Sequence, residues 1–138
     1  MREVVIDTNA LISFVTDRAP DQQEKIGLLL EDAASLKAAI LCPQNVITEF
    51  VYVLEKIYDR PKDQIRSLVS ELIDLPGLQV VHEIDFRLLL TYWPNQIPDF
   101  GDALIAVTCL VHKGSCVATF DRKLKSALKL VGLPIAEL

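Results

Sequence analysis

Glu3-Val4-Val5-Ile6-Asp7-Thr8-Asn9 is the stretch on which the fold turns. Val4, Val5 and Ile6 form a short, apolar, β-branched run, which reads as a buried strand. It stops at Asp7-Thr8-Asn9, and a short helix follows over Ala10 to Val15. The pattern returns near the other end of the chain. Cys116-Val117-Ala118-Thr119-Phe120 reads as a strand, Asp121 ends it, and a helix runs from Arg122 to Leu130. In open α/β sheets, ligands bind beyond the carboxyl ends of the strands, where strand order reverses. If the two strands are neighbours, Asp7 and Asp121 face one crevice. The plainer alternative is that each aspartate caps the helix behind it.

Between these ends the chain alternates. Pro20 and Asp21 start a helix with Ile26, Leu29, Leu30 and Ala33 on one face. Ala39-Ile40-Leu41 is a second strand, stopped by Pro43. From Asn45, the spacing of Ile47, Phe50, Val51, Leu54 and Tyr58 is helical, and Pro61 begins another helix striped by Ile65, Leu68, Val69 and Leu72. Pro76-Gly77 ends it and Leu78 to Val81 is a third strand. Asp85 to Tyr92 is helical. After Pro98 comes a helix apolar nearly all round, closed by Gly114, which marks it as buried. Leu133-Pro134-Ile135 reads as a fifth, edge strand, where proline is tolerated. Short apolar strands alternating with helices predict an α/β fold with a mostly parallel sheet covered on both faces.

The 138 residues fit one domain, residues 1–138, able to bury a core without disulfides. Apolar residues make up 51%, charged residues 24%, and the mean hydropathy is +0.30, a folded composition. The net charge of -5 argues against a broad duplex-binding surface. Cys42, Cys109 and Cys116 are odd in number and sit among apolar neighbours, so reduced thiols and a cytoplasmic location are expected. No signal peptide pattern stands at Met1. The longest apolar stretch, Ala103 to Val111, is far shorter than the ~20 residues of a membrane span.

Three further acids draw notice. Asp99 and Asp102 open the most apolar helix, with the spacing of a cap and its acidic partner. Asp102 heads the apolar stripe and should lie against the sheet. Glu49 stands in an apolar window, Val46, Ile47, Phe50 and Val51, where a charge is rarely buried alone. His82 and His112 are isolated, and no Ser-His-Asp or Cys-His set and no glycine-rich phosphate loop is present.

At these residues the chain resembles the PIN-domain family and, within it, VapC-type toxins of toxin–antitoxin pairs. Asp7-Thr8-Asn9 resembles the first motif, Thr48-Glu49-Phe50 the second, Asp99 to Ala106 the third and Thr119 to Leu124 the fourth. The resemblance spans nearly the whole chain, with the motifs in order. It implies a three-layer α/β/α sandwich around a five-stranded parallel sheet of order 3-2-1-4-5. It implies Mg2+ or Mn2+, an RNA substrate, a homodimer and a cognate antitoxin protein. The helix Gln64 to Ile73 would belong to the arm that family dimers and antitoxins use.

The catalytic and metal-binding set is then Asp7, Glu49, Asp102 and Asp121, with Asp7 and Asp102 as main ligands. Asp99, Thr8, Asn9 and Thr119 are auxiliary, the last three as hydrogen-bonders to the ligands. Like charges at ~4 Å and an effective dielectric of ~20 cost about 4 kcal/mol per pair. Raised carboxylate pKa values or bound cations are therefore expected. Such a site would activate water for in-line hydrolysis of a phosphodiester, leaving a 5′-phosphate and a 3′-hydroxyl. Arg122, Lys123 and Lys125 follow Asp121 and are candidates for RNA phosphate contact, with a solvated helix face as the alternative. Single-stranded or looped RNA suits a strand-end crevice better than a duplex.

The competing reading is a non-catalytic PIN-like module that binds protein or RNA. An aspartyl-phosphate phosphatase would need a second Asp two residues after the first, where Asn9 stands. A receiver domain would need an acceptor Asp at the end of the third strand, which here runs Val80-Val81-His82.

Overall fold

Val4, Val5 and Ile6 are all wholly buried. Successive side chains of a strand point to opposite faces. Burial at three consecutive positions therefore means that helices cover the sheet on both sides. The computed structural model describes residues 1–138 and bears this out. Its elements are β1 (Arg2–Ile6), α1 (Thr8–Val15), α2 (Pro20–Ala34), β2 (Ala38–Pro43), α3 (Gln44–Lys56), α4 (Lys62–Ile73), β3 (Leu78–Val81), α5 (Phe86–Tyr92), α6 (Phe100–Val111), β4 (Cys116–Ala118) and α7 (Arg122–Leu130).

The sheet is parallel throughout and ordered β3-β2-β1-β4. β1 pairs with β2 through Val4↔Ile40 and with β4 through Val5↔Val117. The order reverses between β1 and β4, so the crevice beyond their carboxyl ends is the expected ligand position. Helix α6 packs on β1, β2 and β4, and its residues Ala103 to Cys109 are all buried. No helix is long and apolar enough to cross a membrane.

The fifth strand is the clearest departure from expectation. It shrinks to an isolated bridge, Val117↔Ile135, held by Val117 N–H donating to Pro134 O (3.0 Å) and Ala136 N–H donating to Val117 O (2.8 Å). Pro134 has no N–H and cannot extend the ladder. β4 is also shorter than its sequence suggests and ends at Ala118. Thr119 leaves the ladder, and its hydroxyl accepts the Asp121 N–H at 3.0 Å. Pro43, by contrast, stays within β2, paired with Val81.

Two glycines are fixed by geometry. A Cβ on Gly77 would run into the backbone carbonyls of Ala33 and Ala38, so the turn into β3 admits no side chain. Gly114, at φ +86°, makes the left-handed turn after α6. Cys42 and Cys109 are buried free thiols and Cys116 is half-buried. Burial pushes the Cys42 thiol up to about 12, so it stays protonated.

Candidate active site

The end of β1 delivers Asp7 into a buried position, 5% exposed. Asp7 is the N-cap of α1, and its Oδ1 accepts the Ala10 N–H at 2.8 Å. Its Oδ2 accepts a hydrogen bond from the Thr119 hydroxyl. Thr119 thus ties the two strand ends together, donating to Asp7 while accepting from the Asp121 backbone. Asp121 caps α7 through Oδ1, which accepts from Lys123 N (2.8 Å) and Leu124 N (3.3 Å). Asp99 caps α6 through Oδ1 to Asp102 N at 2.9 Å. Capping and clustering are therefore not alternatives here: three helix N-termini meet at one crevice, and their caps carry the acids.

Glu49 comes from α3 and is exposed on the cleft side. Its Oε2 accepts from the Thr8 hydroxyl at 3.0 Å. Asn9 Nδ2 donates to Asp121 Oδ2 at 3.3 Å. Thr8, Asn9 and Thr119 thus each support a different carboxylate. Asp102, half-buried in the first turn of α6, makes no side-chain hydrogen bond to the protein.

Asp7, Thr8, Asn9, Asn45, Glu49, Asp99, Gly101, Asp102 and Asp121 line one cleft of about 210 Å³. The crowding of these acids bears on Asp102 and Asp7. Burial first, and then the charges of Asp99, Asp121, Asp7 and Glu49, push Asp102 up to about 7. Burial likewise raises Asp7 to about 6, against the hydrogen bonds from Thr119 and Ala10.

Three contributors were not apparent from sequence. Arg18 donates to Asn9 O (2.8 Å) and Ser13 Oγ (3.0 Å), and its charge draws the Asp7 pKa down. Gly101 lies where a Cβ would stand 3.2 Å from both Glu49 Oε1 and Asp99 Oδ1, so it lets α3 and α6 bring these carboxylates close. Asn45, one helical turn before Glu49, lines the cleft with its Oδ1 buried and unpartnered. The i, i+4 spacing to Glu49 was the available signal for Asn45. Arg18 reaches back five and nine residues to α1, and Gly101 matters through Glu49 on another helix.

A wider groove of about 860 Å³ opens beside the cleft, lined by Asp99, Asp102 and Asp121 at one end and by Arg122, Lys123, Ser126 and Leu130 along α7. Asn95 and Gln96 also line it. Arg122 and Lys123 are exposed and unpaired, since the sole ion pair within 4.0 Å is Lys56–Glu55. Of the expected basic set Arg122, Lys123 and Lys125, the groove takes the first two, and Lys125 is half-buried and does not line it. Trp93 props the groove wall, edge-on to Phe100 at 5.0 Å, with its indole N–H donating to Pro98 O at 3.1 Å.

Hard divalent cations fit the cleft chemically. Every side-chain atom of the wall able to ligate a cation is an oxygen, the acids repel, and one buried amide oxygen lacks a partner. No three acidic, histidine or cysteine side chains converge into a cage. Mg2+ does not need one, because it binds through one or two carboxylates and keeps its other positions for water and substrate oxygens. Glu49 Oε1 and both Asp102 oxygens are free of protein hydrogen bonds.

The family model for the PIN domain matches residues 4–129. Among solved structures, the chain is similar to one in the crystal structure of VapBC2 from Rickettsia felis bound to a DNA fragment from their promoter. The identity is 16%, the TM-score is 0.67, and 97% of each chain is covered. It is also similar to PAE2754 from Pyrobaculum aerophilum, at 17% identity and a TM-score of 0.59, over 95% of this chain and 98% of that one. At such identities the likeness concerns the fold. No curated protein sequence matches.

Proposed function

This chain belongs to the PIN-domain family, and we propose that it is an endoribonuclease dependent on Mg2+ or Mn2+, the toxin of a toxin–antitoxin pair. One observation carries the catalytic reading: Asp7, Glu49, Asp99, Asp102 and Asp121 line a single cleft where β1 and β4 end. Beyond burial, the charge of Asp121 helps raise Asp7, and the charges of Asp99, Asp121, Asp7 and Glu49 help raise Asp102, as isolated caps would not. The antitoxin partner rests on the likeness to a VapBC complex, and the homodimer on family resemblance.

In this reading, Asp7 and Asp102 would be the main ligands of the ion, and Glu49 and Asp121 would bind it directly or through water. Once bound, such an ion would supply Lewis acidity to the phosphodiester and to a water. The chain's own residues do the positioning. Thr119 keeps the Asp7 and Asp121 ends together, Thr8 fixes Glu49, and Asn9 fixes Asp121. Water attacks phosphorus in line, the P–O3′ bond breaks, and the products are a 5′-phosphate and a 3′-hydroxyl. Arg122 and Lys123 grip phosphates of single-stranded RNA lying in the groove. Residues 1–138 act as one domain.

The test is cleavage of a mixed structured RNA pool with Mg2+ or Mn2+. Wild type is compared with Asp7→Asn/Asp102→Asn and with wild type in EDTA. Metal-dependent cutting lost in the double variant is the expected result. No cutting, together with no metal binding by calorimetry, would leave a non-catalytic binding module as the better reading.

A further inference from the structure

Asn45 is the second residue of α3, and Glu49 follows one helical turn later, so the two side chains share a face of the helix. Both line the acidic cleft. Asn45 Oδ1 is the one buried side-chain nitrogen or oxygen in the chain with no hydrogen-bond partner. Buried polar atoms are almost always paired, and an orphan is destabilising.

An amide oxygen is satisfied only by a donor or a cation. No side chain that lines the cleft donates to it. Asp7, Glu49, Asp99, Asp102 and Asp121 present acceptors. The Thr8 hydroxyl already donates to Glu49 and the Asn9 amide to Asp121. An occupant of the cleft that brings a donor or a cation would complete it.

We propose that Asn45 Oδ1 is a neutral oxygen ligand, direct or through one ordered water, of the divalent cation held by Glu49 and Asp102. The inference rests on the cation-binding part of the function proposed above. Amide carbonyls are ordinary ligands of hard cations. A neutral oxygen adds ligation where a sixth carboxylate would add repulsion. The orphan is then a cost borne by the cation-free protein and relieved on loading.

Two variants and one probe, Mn2+ without RNA, test this. Asn45→Leu removes the acceptor at similar volume, and Asn45→Asp keeps an oxygen and adds charge. Mn2+ affinity is read by calorimetry, and thermal unfolding is followed in EDTA and in Mn2+. Asn45→Leu is expected to melt about 3 °C higher in EDTA. It is also expected to bind Mn2+ about 10-fold or more weakly. Asn45→Asp is expected to melt lower in EDTA and to bind Mn2+ more tightly than wild type.

Asn45→Leu melting lower in EDTA with unchanged Mn2+ affinity would overturn the proposal and make Asn45 a packing residue. If Asn45→Leu does not fold, Asn45→Asp decides: tighter Mn2+ binding than wild type supports ligation, and unchanged or weaker binding overturns it. Wild type that binds Mn2+ and cuts RNA, with both variants unaltered in Mn2+ binding, sinks this inference alone. Wild type that binds Mn2+ through Asn45 but cuts no RNA sinks only the nuclease.

Discussion

Gly101 shows how a residue without a side chain sets the spacing of a charged cleft. A methyl group there would stand 3.2 Å from a Glu49 oxygen and from an Asp99 oxygen. The carboxylate ends can give way by a few tenths of an ångström, so Gly101→Ala is compatible with folding. Alanine also favours helix over glycine by about 1 kcal/mol. The variant is expected to melt as high as wild type or higher in EDTA, yet to cut RNA roughly 10-fold more slowly, because small misplacements at a reacting centre are expensive. Unchanged cutting would mean that the close approach of Glu49 and Asp99 is not needed. Thr119→Val tests the opposite kind of residue. It leaves Asp7 Oδ2 and the Asp121 N–H without their shared partner. A loss of about 1–3 kcal/mol is expected in urea unfolding, and an Asp7 carboxyl titrating above its present value of about 6 is expected by NMR. A carboxyl that does not move would mean that the Thr119 bond does not hold Asp7 ionised.

At the scale of elements, α7 presents Arg122, Lys123, Ser126 and Leu130 to the groove and keeps Lys125 off it. These positions recur one turn apart, so the helix divides its basic residues between two faces. On single strands each phosphate contact contributes about 0.7 to the slope of log affinity against log salt. Arg122→Ala/Lys123→Ala is therefore expected to flatten that slope by about 1.4 in RNA binding assays, and Lys125→Ala to leave it unchanged. Equal effects from all three would mean that the helix acts as a diffuse positive field. Such placement is where sequence reading reached its limit. Asp7 and Asp121 were legible because each follows an apolar run that had to be a buried strand. Asp99 and Asp102 were legible because a helix as apolar as α6 must be buried, which puts its acidic start at the sheet. Lys125 was assigned with its neighbours because linear proximity does not resolve helix faces. Asn45 and Gly101 stayed hidden for another reason: Asn45 matters for the partner it lacks, and Gly101 for the room it leaves Glu49 on another helix. The fifth strand failed for a local cause, Pro134, whose effect on ladder length depends on how closely β4 approaches.

For the whole molecule, the acidic cleft sets how stability depends on pH. Asp7 and Asp102 have folded pKa values of about 6 and about 7, against an ordinary 3.8. The folded chain therefore holds protons that the unfolded chain has released between about pH 4 and pH 7. When the native state binds more protons, stability falls as pH rises. In EDTA the protein is expected to lose stability from about pH 4 towards pH 7 and to level off above. This opposes the usual behaviour of ion-paired carboxylates, and a chain with a single ion pair has little to offset it. Asp102→Asn removes the charge that the site least tolerates. At pH 8 in EDTA it is expected to raise stability by about 1–2 kcal/mol after solvent screening, or about 3–6 °C in Tm. Saturating Mg2+ should reverse the ranking, because the ion stabilises only a chain that binds it and competes with the protons on these carboxylates. Thermal unfolding of both proteins across pH 4 to 8, with and without Mg2+, checks this. If wild-type stability in EDTA instead rises from pH 4 to 7, the carboxylates are not crowded in solution, and the electrostatic case for a cation there is lost.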